Sequence, residues 1–487
     1  MKHTVYDVAD VTPLSKSRNL SKKLGCDIYL KREDLQSVHS FKLRGAYNKI
    51  FHLTPEEKSR GIIAASAGNH AQGVALSAKK LGLSAVIVMP KTAPSIKVEA
   101  VKSFGAEVEL YGDNYSEAYS YCLNRIDETG RTFVHPFDDE KVIDGQGTVG
   151  LEIIDQLPEV DYIFVPIGGG GLIAGLAKAV KTKNNNVKII GVQPEDSASM
   201  KKSLEKGKIV SLNHVGIFAD GVAVKQPGEL TFKMCQKYVD EVITVTNDEI
   251  CAGIKDIFES TRSIVEGAGA LGMAGINKYS KKHDLSSKSV VAVCSGANLS
   301  FEKLQFIAER TILGSGQEIL LAVELPEKSG ALQDFCQKVV NGHNISEFNY
   351  RYSDDAKALI LVGINTHSSQ DKKRLFESMR KNSFVFNDLS DDEVTKEHIR
   401  HMVGGRANNL ENEWIFMVDF PERSGALNDF LVAVKGVNIS LFHYRGQGGD
   451  VGRVLVGLVG ELTSLKKMLN KTGYDYKLAS KSVKLFV

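Results

Sequence analysis

Up to about residue 312, short apolar runs alternate with segments whose hydrophobic positions recur at helical spacing. The runs Ile62–Ala65, Ala85–Met89, Tyr162–Ile167, Val187–Val192 and Val290–Cys294 are predominantly apolar and end in small or turn residues. Strands buried on both faces read this way, because neither face needs polar residues. The pattern predicts an α/β region of mostly parallel sheets with helices on both faces. Ligands of such sheets bind beyond the carboxyl ends of the strands, so chemistry is expected in the loops after these runs.

Beyond Gly314–Glu318 (GSGQE), which reads as a linker, the rhythm changes and repeats itself. PEKSGAL at Pro326–Leu332 returns as PERSGAL at Pro421–Leu427. NISEFNYR at Asn344–Arg351 returns as NISLFHYR at Asn438–Arg445. Each copy opens with an apolar strand (Ile319–Leu325; Trp414–Phe420), starts a helix at SGAL, continues as a strand from NIS and ends in another strand (Leu359–Val362; Val454–Leu458). A β-α-β-β order of this size is a small α+β sandwich module. A duplicated module of this kind serves oligomerisation or the binding of a regulator. Ser390–Glu413 is polar and charged and is expected to connect the copies. The expected domains are 1–313, 314–390 and 391–487.

Composition narrows the class of function. The chain has 487 residues, 43% hydrophobic and 25% charged, with a formal net charge of +2. This balance gives no case for nucleic-acid or membrane binding. No apolar run approaches the roughly 18 residues that cross a bilayer. The start, MKHTVYDVADVTPL, has neither an apolar signal core nor an Arg/Ser-rich transit pattern. The six cysteines are scattered without a CxxC pair and read as reduced thiols. A cytoplasmic protein is expected.

Four segments carry candidate chemistry. Lys42 lies in Ser40-Phe-Lys-Leu-Arg-Gly45, opening a predicted helix. A lone lysine is most often a solvated surface group. One that attacks a carbonyl carbon must instead be partly desolvated, so that its free amine is available; Phe41 offers apolar cover. Ser66-Ala-Gly-Asn-His70 follows a strand and precedes a helix. It reads equally as a capped turn or as an anion site at a helix N-terminus, with the Asn69 amide free to bond a hydroxyl. Gly168–Gly171 is four consecutive glycines, continuing into a helix at Leu172. A plain turn needs one or two, and four lose much conformational entropy on folding. Bare amides converging on a helix N-terminus make a phosphate cradle, the reading preferred here to a tight loop. Ser295, in Cys294-Ser-Gly-Ala-Asn298, again follows a strand and is either a helix cap or a hydroxyl facing a ring nitrogen. Gly267-Ala-Gly-Ala-Leu-Gly272 satisfies GxGxxG but follows the helical stretch Asp248–Arg262, so close packing of a helix start is expected rather than a dinucleotide, with Glu266 near any bound ring.

Together SFKLRGA, SAGNHAQG, GGGGL and CSGAN resemble, in order and over about 300 residues, the fold-type II pyridoxal-phosphate (PLP) family. The resemblance is to its biosynthetic threonine deaminase branch in particular, and with the repeats it covers nearly the whole chain. It implies a tryptophan synthase β-like catalytic fold followed by two ACT-like regulatory subdomains. It implies PLP linked covalently to Lys42, with Phe41 beside it and the ring hydroxyl on Asn69. The phosphate falls to Gly168, Gly169, Gly170, Gly171 and Leu172, and the ring nitrogen to Ser295. A serine there leaves that nitrogen largely neutral, which favours expulsion of a β-substituent over transamination. Ser66 is carried over as an accessory catalytic group. The implied reaction converts L-threonine, with L-serine as a second substrate, to a 2-oxoacid and ammonia, 2-oxobutanoate in the case of threonine. This is the first committed step of isoleucine biosynthesis, with feedback by isoleucine and valine as a second candidate effector. Tyr350 and Tyr444, with Arg351 and Arg445 beside them, are the implied effector residues, and a homotetramer is the implied assembly.

One departure bears on metal binding. Relatives such as serine racemase hold a divalent cation after the strand ending near Val192. Here Gln193 and Ser199 stand where acids would be expected, and Glu195 and Asp196 are at the wrong offsets. No metal site is expected. A serine-preferring dehydratase and a racemase share every cofactor residue named. A catalytically dead amino-acid sensor and a purely structural module are further alternatives, against which the intact Lys42 and the glycine run weigh.

Overall fold

The apolar runs become the strands of two sheets in the first of two compact units, Met1–Phe301; the second unit is Glu302–Val487. The structure is a computed structural model. It describes residues 4–314, 317–326, 334–340, 343, 345–352, 357–366, 368–401, 412–421, 426–445, 451–480 and 483.

In the first unit, ten strands run in chain order: β1 Leu14–Lys16, β2 Asp27–Arg32, β3 Ile62–Ala65, β4 Ala85–Met89, β5 Glu107–Leu110, β6 Thr132–Phe133, β7 Tyr162–Pro166, β8 Lys188–Pro194, β9 Glu241–Val245 and β10 Ser289–Cys294. One sheet has the order β1-β2-β10-β7-β8-β9 and the other β5-β4-β3-β6. All pairings are parallel except β1 with β2. β3 and β4 are buried along their whole length, which is why their sequences show no alternation. Each sheet has its own core. One gathers Ile163, Val165, Ile189 and Val293 with Leu172 and Leu176 of the helix Gly171–Lys183. The other gathers Ile62, Ala64 and Ile87 with Val74 and Ala75 of the helix Asn69–Leu81. Each fully buried Val, Leu or Ile side chain among them contributes about 1.5–3 kcal/mol.

The helix Lys42–Phe51 packs on the helices Asn69–Leu81 and Glu140–Gln156. A buried ionic knot holds its first turn. The Arg44 guanidinium donates to Glu33 (2.8 and 2.9 Å), to Glu152 (2.5 and 3.1 Å) and to Thr148 Oγ1 (3.0 Å). Lys31 donates to Glu152 at 2.5 Å, and Thr12 Oγ1 to Glu33 at 2.6 Å. The side chains of Arg44, Glu33 and Lys31 are 0% exposed and that of Glu152 is 4% exposed. Charges this deep persist because nearly every donor and acceptor is matched.

The second unit holds two modules of the same plan. The first runs β11 Glu318–Pro326, a π-helical turn Cys336–Val340, β12 Ile345–Tyr352, β13 Lys357–Asn365, the helix Ser369–Lys381 and β14 Val385–Asp388. The second runs β15 Glu413–Pro421, the helix Ala426–Ala433, β16 Asn438–Arg445, β17 Val451–Val459, the helix Leu462–Thr472 and β18 Tyr476–Leu478. The sheets, β12-β13-β11-β14 and β16-β17-β15-β18, are antiparallel throughout. Both carry a register shift at the same place in the repeat, between Ile345 and Glu347 and between Ile439 and Leu441. Each module is therefore β-α-β-β-α-β. The sequence reading lacked the closing helix and strand, because β14 and β18 are short edge strands with mostly exposed residues.

The helix Lys303–Gly314 falls in the second unit. Between the modules, the described residues 390–400 are partly buried. The helix Glu393–Glu397 is followed by the buried His398, and Val394 and Ile399 join Leu320, Leu361, Ile415 and Leu455 in a core shared by both modules. Two charges of this segment are paired: Glu393, whose side chain is 45% exposed, with the buried Arg310 at 2.7 Å, and the buried Glu397 with Arg453. Among the described residues, no helix is long and apolar enough to cross a membrane.

Candidate active site

The segments singled out for chemistry gather at the carboxyl edges of strands. β10 pairs in parallel with β2 on one side and β7 on the other. Ser295 and the glycine run beginning at Gly168 therefore follow neighbouring strand ends. In the other sheet, Ser66 follows β3 and leads into the helix Asn69–Leu81.

Lys42 is placed by the turn before its helix. His39 adopts φ 54°, Ser40 bridges to Gly296, and the Phe41 amide donates to the Ser295 carbonyl at 3.2 Å. The helix start is thereby tied to the CSGAN turn. Lys42 Nζ donates to the Pro136 carbonyl at 2.9 Å and lies 5.4 Å from the Phe41 ring centre. Burial lowers its pKa to about 8, against the opposing influence of Glu266. A sizeable fraction of this amine is neutral near physiological pH, unlike a solvated lysine.

The segment His135–Asp138 joins Lys42 to the glycine run. His135 Nδ1 accepts from the amides of Phe137 (3.2 Å) and Asp138 (2.8 Å). Burial brings its pKa down to about 4, so it remains an acceptor at neutral pH. Phe137 then presses on the glycines. A methyl group at Gly169 would lie 2.4 Å from the Phe137 ring, and one at Gly171 would lie 3.0 Å from Phe137 Cα. Gly170 has φ +100°, a conformation that L side chains rarely adopt. Behind the run, Thr231 Oγ1 donates to the Gly169 carbonyl at 2.6 Å, and the Asp138 carboxylate accepts from the amides of Glu229, Leu230 and Thr231. The amides of Gly168, Gly169 and Gly170 donate to no acceptor among the described residues. No side chain caps the helix Gly171–Lys183. Unused amides at an uncapped helix start form an anion cradle.

A third arc closes the ring. A methyl group at Gly168 would meet Val222 Cα at 3.1 Å. One at the adjacent Gly221 would meet Glu266 Oε1 at 3.2 Å, and one at Gly296 would meet Glu266 Oε1 at 2.7 Å and Asn69 Nδ2 at 3.1 Å. Asn69 Nδ2 donates to Glu266 Oε1 at 2.6 Å. Contacts thus run from Lys42 through Pro136 and Phe137 to the glycines, then through Gly221, Glu266, Asn69 and Gly296 back to Ser295 and Lys42. Lys42 and the glycine run therefore border one site.

The remaining predicted residues fall as follows. Ser66 Oγ accepts from the Gly68 amide at 3.2 Å and makes no hydrogen bond to Lys42. The Leu172 side chain is core, so only its backbone is available to an anion. Ser295 is 3% exposed. Gln193 is fully buried; its amide donates to the carbonyls of Ile167 and Ser197 and accepts from the Lys201 amide. Tyr350 and Arg351 pair with Ile360 and Leu359, and Tyr444 and Arg445 with Val454 and Arg453, at matching places in the two modules. The side chains of these four lie outside the described residues. The GxGxxG stretch starts the helix Gly267–Tyr279, where a methyl group at Gly269 would lie 2.3 Å from the Gly296 carbonyl oxygen and one at Gly272 3.0 Å from the Phe164 carbonyl oxygen. Close packing of a helix start is the correct reading.

Sequence reasoning missed Pro136 and Phe137, for which no local motif exists. It passed over Asn298, although that residue ends a quoted motif, and named Glu266 only as a neighbour. Gly169→Ala tests the geometry. The methyl must displace Phe137, so the first unit is expected to lose about 1–3 kcal/mol, read by denaturant unfolding. Unchanged stability would mean that Phe137 does not press on the run.

The chain matches the family model of pyridoxal-phosphate dependent enzymes over residues 5–296. It matches that of the C-terminal regulatory domain of threonine dehydratase over 309–399 and 404–486. It is 48% identical to the L-threonine dehydratase biosynthetic IlvA of Pasteurella multocida, over 98% of this chain and 94% of that protein. It is 46% identical to the Escherichia coli protein of the same name, over 98% and 93%. Among solved structures, the processed form of threonine deaminase isoform 2 from Solanum lycopersicum gives a TM-score of 0.63 at 48% identity, covering 64% of this chain and 86% of that one. Maize serine racemase gives 0.60 at 33% identity, covering 64% and 95%.

Proposed function

Because this chain belongs to the biosynthetic threonine dehydratase family, a pyridoxal-phosphate-dependent enzyme region joined to a regulatory domain, we propose that it deaminates L-threonine to 2-oxobutanoate and ammonia. The observation that carries this reading is that the buried Lys42 amine and the unused glycine amides both abut the His135–Asp138 segment.

The site fits the cofactor of the family. Unused amides at an uncapped helix start suit a dianionic phosphate, and Gly169 and Gly170 leave no room there for a side chain. When bound, pyridoxal phosphate supplies an electron sink that weakens the bonds at Cα and at the β-hydroxyl. The chain's own residues do the rest. Gly168–Gly171 and the Leu172 backbone hold the phosphate, and Asn69 donates to the ring hydroxyl. Ser295 would donate its hydroxyl to the ring nitrogen and leave it uncharged. Phe41 and Phe137 exclude water beside Lys42. The Lys42 amine, neutral in good part because it is buried, takes the proton from Cα at Nζ. Ser66, close to the helix N-terminus, serves the substrate side. Water is lost from the amino acid and regained when ammonia leaves, so the sum is threonine to 2-oxobutanoate plus ammonia.

No divalent cation has a role in this reading, since the buried Gln193 amide is already bonded to the backbone. Rates with L-threonine, L-serine and D-serine discriminate the substrates. Formation of 2-oxobutanoate from L-threonine is the expected dominant activity, and a preference for D-serine or for racemisation would overturn it.

The second unit is the regulatory domain and takes a small amino-acid effector. Isoleucine is the proposed effector, with valine as a second, at Tyr350, Arg351, Tyr444 and Arg445, in a homotetramer. A coupling of 5–150-fold in apparent threonine affinity is the usual range for such regulation. Ending the chain at Gly314 is expected to abolish the isoleucine effect and make threonine saturation hyperbolic. Retained isoleucine sensitivity would place the effector site in the first unit.

A further inference from the structure

The amide of Asn69 has one orientation compatible with its neighbours, and Asn298 imposes it. Asn298 Nδ2 donates to the Val38 carbonyl at 2.9 Å, and a carbonyl only accepts. The same nitrogen lies 2.7 Å from Asn69, which must therefore present Oδ1 to it. On its other side Asn69 presents Nδ2 to the Glu266 carboxylate at 2.6 Å, another group that only accepts when ionised. Turning the Asn69 amide over would set nitrogen against nitrogen at Asn298 and oxygen against carboxylate at Glu266. Two hydrogen bonds would become two repulsive contacts in a half-buried site. With one Nδ2 hydrogen on Glu266, the second is left for a further acceptor.

We propose that Asn298 is a positioning residue of the catalytic centre: by holding Asn69 Oδ1 it keeps the Nδ2 hydrogens of Asn69 turned toward Glu266 and the ring hydroxyl of the cofactor. This rests on the reading of Asn69 given above. Val38 lies in the chain leading to Lys42, and Asn298 follows Ser295 by three residues. One side chain therefore ties the lysine turn, the ring-nitrogen turn and the ring-hydroxyl donor together.

The test uses Asn298→Asp, which keeps the size and reverses the polarity. An aspartate cannot donate to Val38 or to Asn69, so Asn69 turns over to donate to it. Asn298→Asp, Asn69→Ala and the double variant are compared in the full chain. The readouts are pyridoxal phosphate affinity by equilibrium dialysis, the visible absorbance of the bound cofactor, and kcat against KM. Asn298→Asp is expected to weaken cofactor binding about tenfold, the order of one lost hydrogen bond, and to shift the absorbance band. The double variant is expected to match Asn69→Ala, because Asn298 acts through Asn69. Additive effects in the double variant would overturn the proposal, as would an unshifted band and unchanged affinity in Asn298→Asp while Asn69→Ala alters both. If Asn69→Ala alters neither, the reading of Asn69 fails and this one with it. Should Asn298→Asp not fold, Asn298→Ala takes its place, with a smaller shift expected and the same double-variant criterion.

Discussion

Turnover of L-threonine falls by about four powers of ten in Lys42→Ala. The same amine is assigned both the hold on the cofactor and the removal of the Cα proton, so no partial route remains once it is gone. A general base alone is worth roughly two to four powers of ten, and the upper end applies where one group has both tasks. Borohydride reduction provides a readout independent of rate: it fixes the cofactor to the wild-type chain and fixes none to the variant. The chemistry also predicts a pH dependence. Burial lowers the Lys42 pKa from 10.5 to about 8, so the reactive neutral amine is lost as pH falls below about 8. Loading of the cofactor-free protein should therefore quicken about tenfold per pH unit up to about 8 and then level off. A solvated lysine would show the rise continuing toward 10.5. Lys42→Ala with wild-type turnover would end the assignment, and loading that keeps accelerating above pH 9 would show that the lysine is not buried in solution.

Arg44→Met is expected to cost the first unit about 3–5 kcal/mol, the usual consequence of removing one member of a buried charge group. Glu33 and Glu152 would then face each other's neighbourhood with only Lys31 as a counter-charge, in a site with almost no solvent access. For a unit of this size the thermal midpoint drops by roughly 10 °C. Lys42 lies two residues away on the same helix, so loosening this turn should also reduce cofactor affinity. Arg44→Lys does not rescue, because an ammonium cannot reproduce the forked contacts to two carboxylates. A midpoint within a degree or two of wild type would mean that the knot is replaceable and that packing alone holds the helix.

Much of this was legible along the chain because the signals are local. β3 and β4 fall where uninterrupted apolar runs placed them, and both modules of the second unit were visible as a repeat. Lys42, Asn69, the four glycines and Ser295 stood out as candidates because each lies in a compact motif at a strand or helix boundary. The burial of Val394, Glu397 and His398 was not legible for the opposite reason. The partner that neutralises the buried Glu397, Arg453, is remote in sequence.

What the order of residues determined by itself was most of the elements, their parallel or repeated arrangement, and the candidate groups for chemistry. What only the tertiary structure decided was their state. The Lys42 pKa is depressed because the folded chain buries the amine, with Phe41 and Pro136 beside it. The Asn69 amide points one way because Asn298 and Glu266 lie on either side of it. Desolvation and hydrogen-bond polarity depend on neighbours hundreds of positions apart, which no local pattern encodes.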